Sequence, residues 1–405
     1  MCATIGGLCP YPAVPDYSVT FPKPRPANTD PPALSGQVKT LLHLSDIHVD
    51  PLYASGVLMF YFCISRDTQP GTDANCNFPI CCRDFKNLTK PDRPASKWGD
   101  YSCDAPVALL DNLLDSIPKF EPKIDYALIT GFPPVSLPLL LSPSDIAPHD
   151  VWVATESSVT TVLKTVYASI SKHFTAYNIT KVFPSVGNHD TAPVNLFPLK
   201  SQSRASDWVY HTLADSWKQA NWLPDSTILE VADYGTYATR PEPGLKVISL
   251  NTNLCYVNDW WIYGKVNELD PNALTPIPSF SHHQASEDAG ERVWITARTY
   301  NSPPVIFKIM RIFISQTHTL QKKNALSPDV PPGISDCFRN FAHFYYQIIQ
   351  RYSPHVIVAQ FYGHTHRDEF EIFYSDETKR NADTAISVGY VTPSVVPMKN
   401  TNSAF

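Results

Sequence analysis

The sequence predicts an α/β fold, and three observations carry that prediction. Apolar runs of strand length alternate with stretches of helical periodicity from about residue 38 onward. The 43% hydrophobic content is ample for a packed core. Polar clusters rich in Asp and His fall where the apolar runs end, the place where α/β folds gather ligand-binding side chains. At 405 residues the chain is long enough for two or three average domains, or for one large domain with additions. A net charge of -6 gives no basic footprint for nucleic acid. No apolar run approaches the ~20 residues of a membrane helix, so no transmembrane segment is expected.

In chain order, residues 1–9 carry Cys2 and Cys9, and residues 10–36 are rich in proline (Phe21-Pro-Lys-Pro-Arg-Pro26, Pro31-Pro32). The latter read as a stiff, extended linker. Residues 38–44 form a strand candidate. Residues 105–117 form a helix candidate with Val107, Leu110, Leu113, Leu114 and Ile117 on one face. A strand is expected at 125–130, a helix at 157–174, a strand at 181–186 and a helix at 206–220. Strands follow at 245–250 and 292–296. An aromatic-rich helix at 338–351 and strands at 355–361 and 369–374 complete the series.

Four clusters carry the chemistry: Asp46-Ile-His48, Asp145 with His149, Gly187-Asn188-His189-Asp190, and Gly363-His364-Thr365-His366. Singly each is commonplace, and an isolated histidine is more often a satisfied core or surface residue than a ligand. Together they offer oxygen and nitrogen donors suited to Zn, Mn or Fe. Two such ions bridged by a carboxylate make a site for phosphoester hydrolysis.

The order and spacing of these clusters resemble the calcineurin-like metallophosphoesterases. Five longer words narrow the likeness to the acid sphingomyelinase group: Leu44-Ser-Asp-Ile-His-Val-Asp-Pro-Leu52, Asn75-Cys-Asn-Phe-Pro-Ile-Cys-Cys-Arg83, Asp145-Ile-Ala-Pro-His-Asp-Val-Trp152, Val186-Gly-Asn-His-Asp190 and Phe361-Tyr-Gly-His-Thr-His366. The resemblance spans about residues 36–405 and implies a two-sheet β-sandwich metallophosphoesterase core flanked by helices. It further implies that Asp46, His48 and His366 hold one metal, that Asn188 and His364 hold a second, and that Asp145 bridges them. His189 would protonate the leaving alcohol and His149 would contact the phosphate. The implied nucleophile is a hydroxide bridging two Zn2+ ions, and no tyrosine lies at 146–149, where a coloured di-iron site would have one. The implied reaction is hydrolysis of sphingomyelin to ceramide and phosphocholine, at a membrane or lipid surface. Nucleotides or other phosphodiesters are the alternative substrates, because metal ligands do not report the leaving group.

The same resemblance implies disulfides Cys76–Cys81, Cys82–Cys103 and Cys255–Cys337, with Cys2, Cys9 and Cys63 outside any pair. Free thiols, or a zinc knuckle from Cys76, Cys81, Cys82 and Cys103, are the competing readings; adjacent Cys81-Cys82 suits a knuckle poorly. Residues 1–9 resemble the end of a saposin-like domain. Asn87-Leu88-Thr89 and Asn178-Ile179-Thr180 are glycosylation sequons that suit secretion or a lysosome- or vacuole-like compartment, although no signal peptide is visible after Met1.

Three stretches interrupt the family words, near 57–69, 132–144 and 298–329, and the family continues beyond the segment that ends at Phe405. They read either as loop insertions or as translated introns. Residues 132–144 are almost all Phe, Pro, Leu, Ser and Val, which pyrimidine-rich codons supply. Joining the first base of the Arg298 codon to the last two of the Asp329 codon would give histidine, in Trp-Ile-Thr-Ala-His-Val-Pro-Pro-Gly, the missing ligand of the second metal. His318 is the less favoured replacement. On this reading the chain as written is a weak or inactive hydrolase, and the product of a faulty gene model is the rival to an active enzyme.

Overall fold

The computed structural model describes residues 18–31, 36–55, 82–83, 95–130, 146–264, 279–297, 310–313, 337–366 and 368–397. Asp145, Asn87, Cys2, Cys9, Cys63, the pair Cys76–Cys81, and the interrupting stretches apart from 310–313 lie outside these residues.

Two sheets form; inner strands such as Tyr126–Thr130, Leu245–Ser249 and Arg292–Ala297 are buried along nearly their whole length, while the edge strands Tyr237–Glu242 and Glu369–Tyr374 are only partly buried. The smaller sheet has β1 (Val38–Ser45) at its centre, parallel to β2 (Tyr126–Thr130), which is parallel in turn to β3 (Val182–Pro184). The larger contains β4 (Tyr237–Glu242), β5 (Leu245–Ser249), β6 (Arg292–Ala297), β8 (Ile357–Tyr362), β9 (Glu369–Tyr374) and β10 (Ala385–Val391), in the order β4-β5-β6-β8-β10-β9. Its central pairs are parallel and its two outer hairpins antiparallel. A short strand, β7 (Met310–Phe313), pairs antiparallel with Val38–Leu41 at the edge of the smaller sheet. It falls inside the stretch 298–329, so part of that interruption takes a place in the sheet. The sequence offered no separate signal for it.

The sheets touch through side chains. Tyr126 meets Trp294 edge-on with ring centroids 5.2 Å apart, and Ser185 Oγ lies 3.0 Å from Ser249 Oγ and donates to Thr296 Oγ1 at 3.2 Å. One core therefore runs from Leu41, Leu44 and Leu128 to Val247, Trp294 and Phe361. Helix α1 (Val107–Phe120) buries Leu110, Leu113, Leu114 and Ile117 in it, and α2 (Glu156–Ala176) buries Val159, Leu163, Val166 and Ile170. At ~1.5–3 kcal/mol per buried side chain, these stripes fix both helices to the small sheet. Val107 is a correction: it is exposed, because Pro106 caps the helix from an extended conformation and Val107 opens the first turn away from the core.

Helices α3 (Asp207–Gln219), α4 (Asp225–Tyr234) and the single turn α5 (Trp260–Tyr263) follow. Then come α6 (Ser279–Ala289) and α7 (Arg339–Tyr352), the latter packing Ile348, Ile349 and Tyr352 on Val293, Ile295 and Ile357 of the large sheet. Among the described residues, no helix is long and apolar enough to cross a membrane.

Candidate metal centre and its histidines

The site is built where β1, β3 and β8 end. β1 stops at Ser45 because the next residues turn: Asp46 has φ 52° and His48 φ 39°. After β8, His364 and His366 have φ 90° and 57°. Left-handed backbone at residues with bulky side chains costs ~1–3 kcal/mol apiece and persists where the surroundings impose it, typically at functional sites. Here the loops are stitched together. Asp46 N donates to Thr130 O at 3.1 Å, Val49 N to Ile146 O at 3.0 Å, Ala105 N to His48 O at 2.9 Å, and Val396 N to Asp46 O at 3.1 Å.

These turns bring Asp46, His48 and His366 together, all fully buried, with one donor atom from each lying within 4.8 Å of the others. His366 Nε2 is 3.3 Å from His48 Nε2 and 3.6 Å from Asp46 Oδ1. Donors at ~2.1 Å around a tetrahedral zinc stand ~3.4 Å apart, so these edges match a cation's first shell, and one oxygen with two nitrogens is a donor set zinc accepts. Burial, helped by neighbouring His149, pushes His48 well below the usual imidazole range. It therefore stays neutral, the form that binds metal.

Two further histidines surround this group. The His149 ring lies 4.4 Å from that of His48, and the His189 ring lies 6.1 Å from His48 and 5.8 Å from His149. The Nδ1 atoms are turned away from the centre. His48 Nδ1 is 3.3 Å from Ala147 O and His189 Nδ1 is 3.3 Å from Pro148 O, while His149 Nδ1 meets the Asp104 carboxylate. Taking each Nδ1 as the protonated nitrogen directs each Nε2 inward. Asp104 also accepts from His149 N at 2.6 Å and is fully buried, which pushes its own pKa well up.

Asn188 and His364 are also fully buried. Asn188 Nδ2 donates to Asn195 Oδ1, which turns its own Oδ1 the other way. His364 donates its backbone N–H to Asp46 Oδ2 at 3.1 Å, and its ring stands edge-on to Tyr256 at 6.0 Å. It is not part of the three-residue group. Asp190 closes the turn by accepting from Gly187 N at 2.8 Å; burial raises its pKa to about 6.

Of the bridges expected, Cys82–Cys103 and Cys255–Cys337 are present. The first holds Arg83 where it pairs with both Asp50 (2.6 Å) and Asp150 (2.9 Å), tying the loop after β1 to the loop of His149. Ser45, Asp104 and Asn195 were missed by sequence reasoning. Asp104 meets His149 from 45 residues away, which no local pattern reveals. Its place directly after a bridging cysteine was the only available signal.

No protein-family model matches the chain. It is 33% identical over 98% of its length to sphingomyelin phosphodiesterase B of Dictyostelium discoideum, covering 53% of that protein. To the human sphingomyelin phosphodiesterase it is 32% identical over 91% of its length, covering 47% of the relative. To mouse acid sphingomyelinase-like phosphodiesterase 3b it is 27% identical over 90%. The chain thus spans about half the length of the sphingomyelin phosphodiesterases it matches. Its motifs and most of its length agree: this chain is a relative of the sphingomyelin phosphodiesterases and acid sphingomyelinase-like phosphodiesterases.

Proposed function

We propose that the chain is a zinc-dependent phosphoric diester hydrolase whose substrate is sphingomyelin, cleaved to ceramide and phosphocholine. The observation that carries this reading is the buried Asp46, His48 and His366 group with the rings of His149 and His189 beside it, 4.4 and 6.1 Å from that of His48. The names of the relatives supply the substrate. Two sheets in contact, with the site on their strand ends, fit a metallophosphoesterase sandwich.

In this reading Asp46, His48 and His366 would hold one zinc and Asn188 and His364 a second, while Asp145, outside the described residues, would be the shared ligand that the resemblance implies. When bound, the cations activate water and offset the charge of the phosphoryl group. The protein supplies the rest. His149, anchored by Asp104, directs Nε2 at a phosphoryl oxygen. His189, anchored through Nδ1 on Pro148 O, would be the group that gives an Nε2 proton to the ceramide oxygen as the P–O bond breaks. The residues from about 37 onward would form the catalytic unit, after a saposin-like remnant and linker. The disulfides Cys82–Cys103 and Cys255–Cys337 among the described residues, with the exposed sequon residue Asn178, suit a secreted or lysosome-like setting and a substrate presented on a lipid surface.

The test compares the 405-residue chain with a version lacking 132–144 and carrying one histidine in place of 298–329. Both are loaded with zinc and assayed for phosphocholine release from sphingomyelin vesicles. The joined version should hydrolyse sphingomyelin and the chain as written far less. Zinc-loaded joined protein that cleaves nucleotide diesters but leaves sphingomyelin intact would overturn the substrate assignment.

A further inference from the structure

Behind Asp46 runs a line of buried polar side chains to which the chemistry above gives no task. Ser45 Oγ donates to Asp46 Oδ2. Thr130 Oγ1 donates to Ser45 Oγ at 3.4 Å. With its hydrogen so used, Thr130 Oγ1 accepts from His43 Nε2, 2.7 Å away. His43 Nδ1 is then the acceptor, and Thr392 Oγ1 donates to it at 2.7 Å. All are buried, and Thr392 is itself fixed by its N–H to Tyr362 O at 3.1 Å. The His43 ring also packs edge-on against Phe361, centroids 5.9 Å apart.

Every donor in this chain points the same way, from Thr392 to the carboxylate. Bonds aligned in sequence polarise one another, so the last one, from Ser45, is strengthened by those behind it. The alignment requires a neutral His43 protonated on Nε2; burial holds His43 neutral, with its pKa pushed down to about 3. Oδ2 of Asp46 receives both Ser45 and the His364 N–H, which leaves Oδ1 as the oxygen that faces His366.

We propose that His43 is a positioning residue: acting through Thr130 and Ser45, it orients the Asp46 carboxylate so that Oδ1 faces His48 and His366 and sets the site's affinity for a divalent cation. This rests on the reading of Asp46, His48 and His366 as a cation site. Outer partners of metal ligands typically contribute tenfold to a hundredfold in affinity.

The experiment titrates zinc into the metal-stripped 405-residue chain against a chromophoric chelator and records the melting temperature of the same metal-free samples. Variants are His43→Phe, which keeps an aromatic ring against Phe361, Ser45→Ala, their double, and His43→Gln, which retains a donor for Thr130. His43→Phe and Ser45→Ala should each weaken zinc binding by about tenfold or more. The double should be no weaker than Ser45→Ala alone, because both act through one chain, and His43→Gln should recover most of the loss. Equal affinity in wild type and His43→Phe, with only the metal-free melting temperature lowered, makes His43 a packing residue and overturns the inference. So do losses that multiply in the double variant. Wild type that binds no zinc overturns the site reading beneath it, a distinguishable result. Should His43→Phe fail to fold, Thr392→Val removes the far donor; unchanged zinc affinity there overturns the inference equally.

Discussion

His48, His149 and His189 come from three loops, yet each anchors Nδ1 on an acceptor and leaves Nε2 for the centre. An imidazole without such an anchor can flip or change tautomer, and a site built on it loses definition. Asp104→Asn weakens the anchor of His149 while keeping the shape. It should leave zinc affinity nearly unchanged and lower kcat/KM for a diester by about tenfold to a hundredfold, read by parallel zinc titration and steady-state kinetics of the joined, active version. His189→Ala in that version should lower turnover of sphingomyelin by ~10²–10⁴, and affect a p-nitrophenyl leaving group much less, because a good leaving group needs no proton. Equal losses on both substrates would remove His189 from the acid role. At this scale the sequence was informative about the side chains that cluster and silent about their supports. Asp46, His48 and His366 sit in recognisable words, whereas Ser45, Asp104 and Asn195 act through contacts that only the fold creates.

The elements that were legible are those with a strong period and a buried stripe. α1 and α2 carry buried apolar stripes at helical spacing, and β1, β2 and β5 are short apolar runs with clear ends. β3 is shorter than the run that suggested it, Val182–Pro184, since Ser185 already turns towards Ser249 and Thr296. α4 and β10 escaped notice for physical reasons. α4 buries only Thr227, Ile228 and Val231 among its ten residues, too little for a periodic signal. β10 contains Gly389, which by propensity weakens a strand. In the structure that glycine is required, because a Cβ there would lie 2.7 Å from the Tyr362 ring. Gly235 shows the same logic at a helix end: it caps α4 at φ 69°, and a Cβ would lie 2.7 Å from Val186 Cγ2, one residue before the Asn188 turn begins. Gly235→Ala should therefore lower stability by about 2 kcal/mol in urea unfolding, from crowding plus left-handed strain. A change within a few tenths of wild type would mean that Val186 yields easily.

Across the whole molecule, the proline-rich segment is more than a spacer. Val19 N donates to Gln347 Oε1 at 3.0 Å, Phe21 packs edge-on to Tyr352 at 5.9 Å, and Lys23 pairs with Asp288 at 2.7 Å. Lys23 O also accepts from Arg351 Nε at 3.1 Å. Arg351 is held in turn by Glu287, which accepts from both its terminal nitrogens at 2.8 and 2.9 Å and from His355 Nε2 at 2.8 Å. Proline content reads as a stiff linker; that residues 19–23 lie against α6 and α7 depends on partners more than 260 residues away. The Arg351 bond above all holds the Glu287 carboxyl at about 2, against an ordinary 4.5. Because the folded pKa is the lower one, this contribution is complete above about 4.5 and is lost as pH falls towards 2. Glu287→Gln should thus cost about 2 kcal/mol at pH 7, and the gap from wild type should narrow in urea unfolding at pH 3. A gap independent of pH would mean that charge at Glu287 does not matter.

The measurement that bears most directly on what this chain does is a zinc titration of the metal-stripped protein, wild type beside His366→Ala. Wild type should bind at least one zinc per chain tightly. His366→Ala should lose that site while its metal-free melting temperature stays close to wild type. Wild type that binds no zinc, or a His366→Ala variant that binds it equally well, would contradict the reading of Asp46, His48 and His366 as a metal centre.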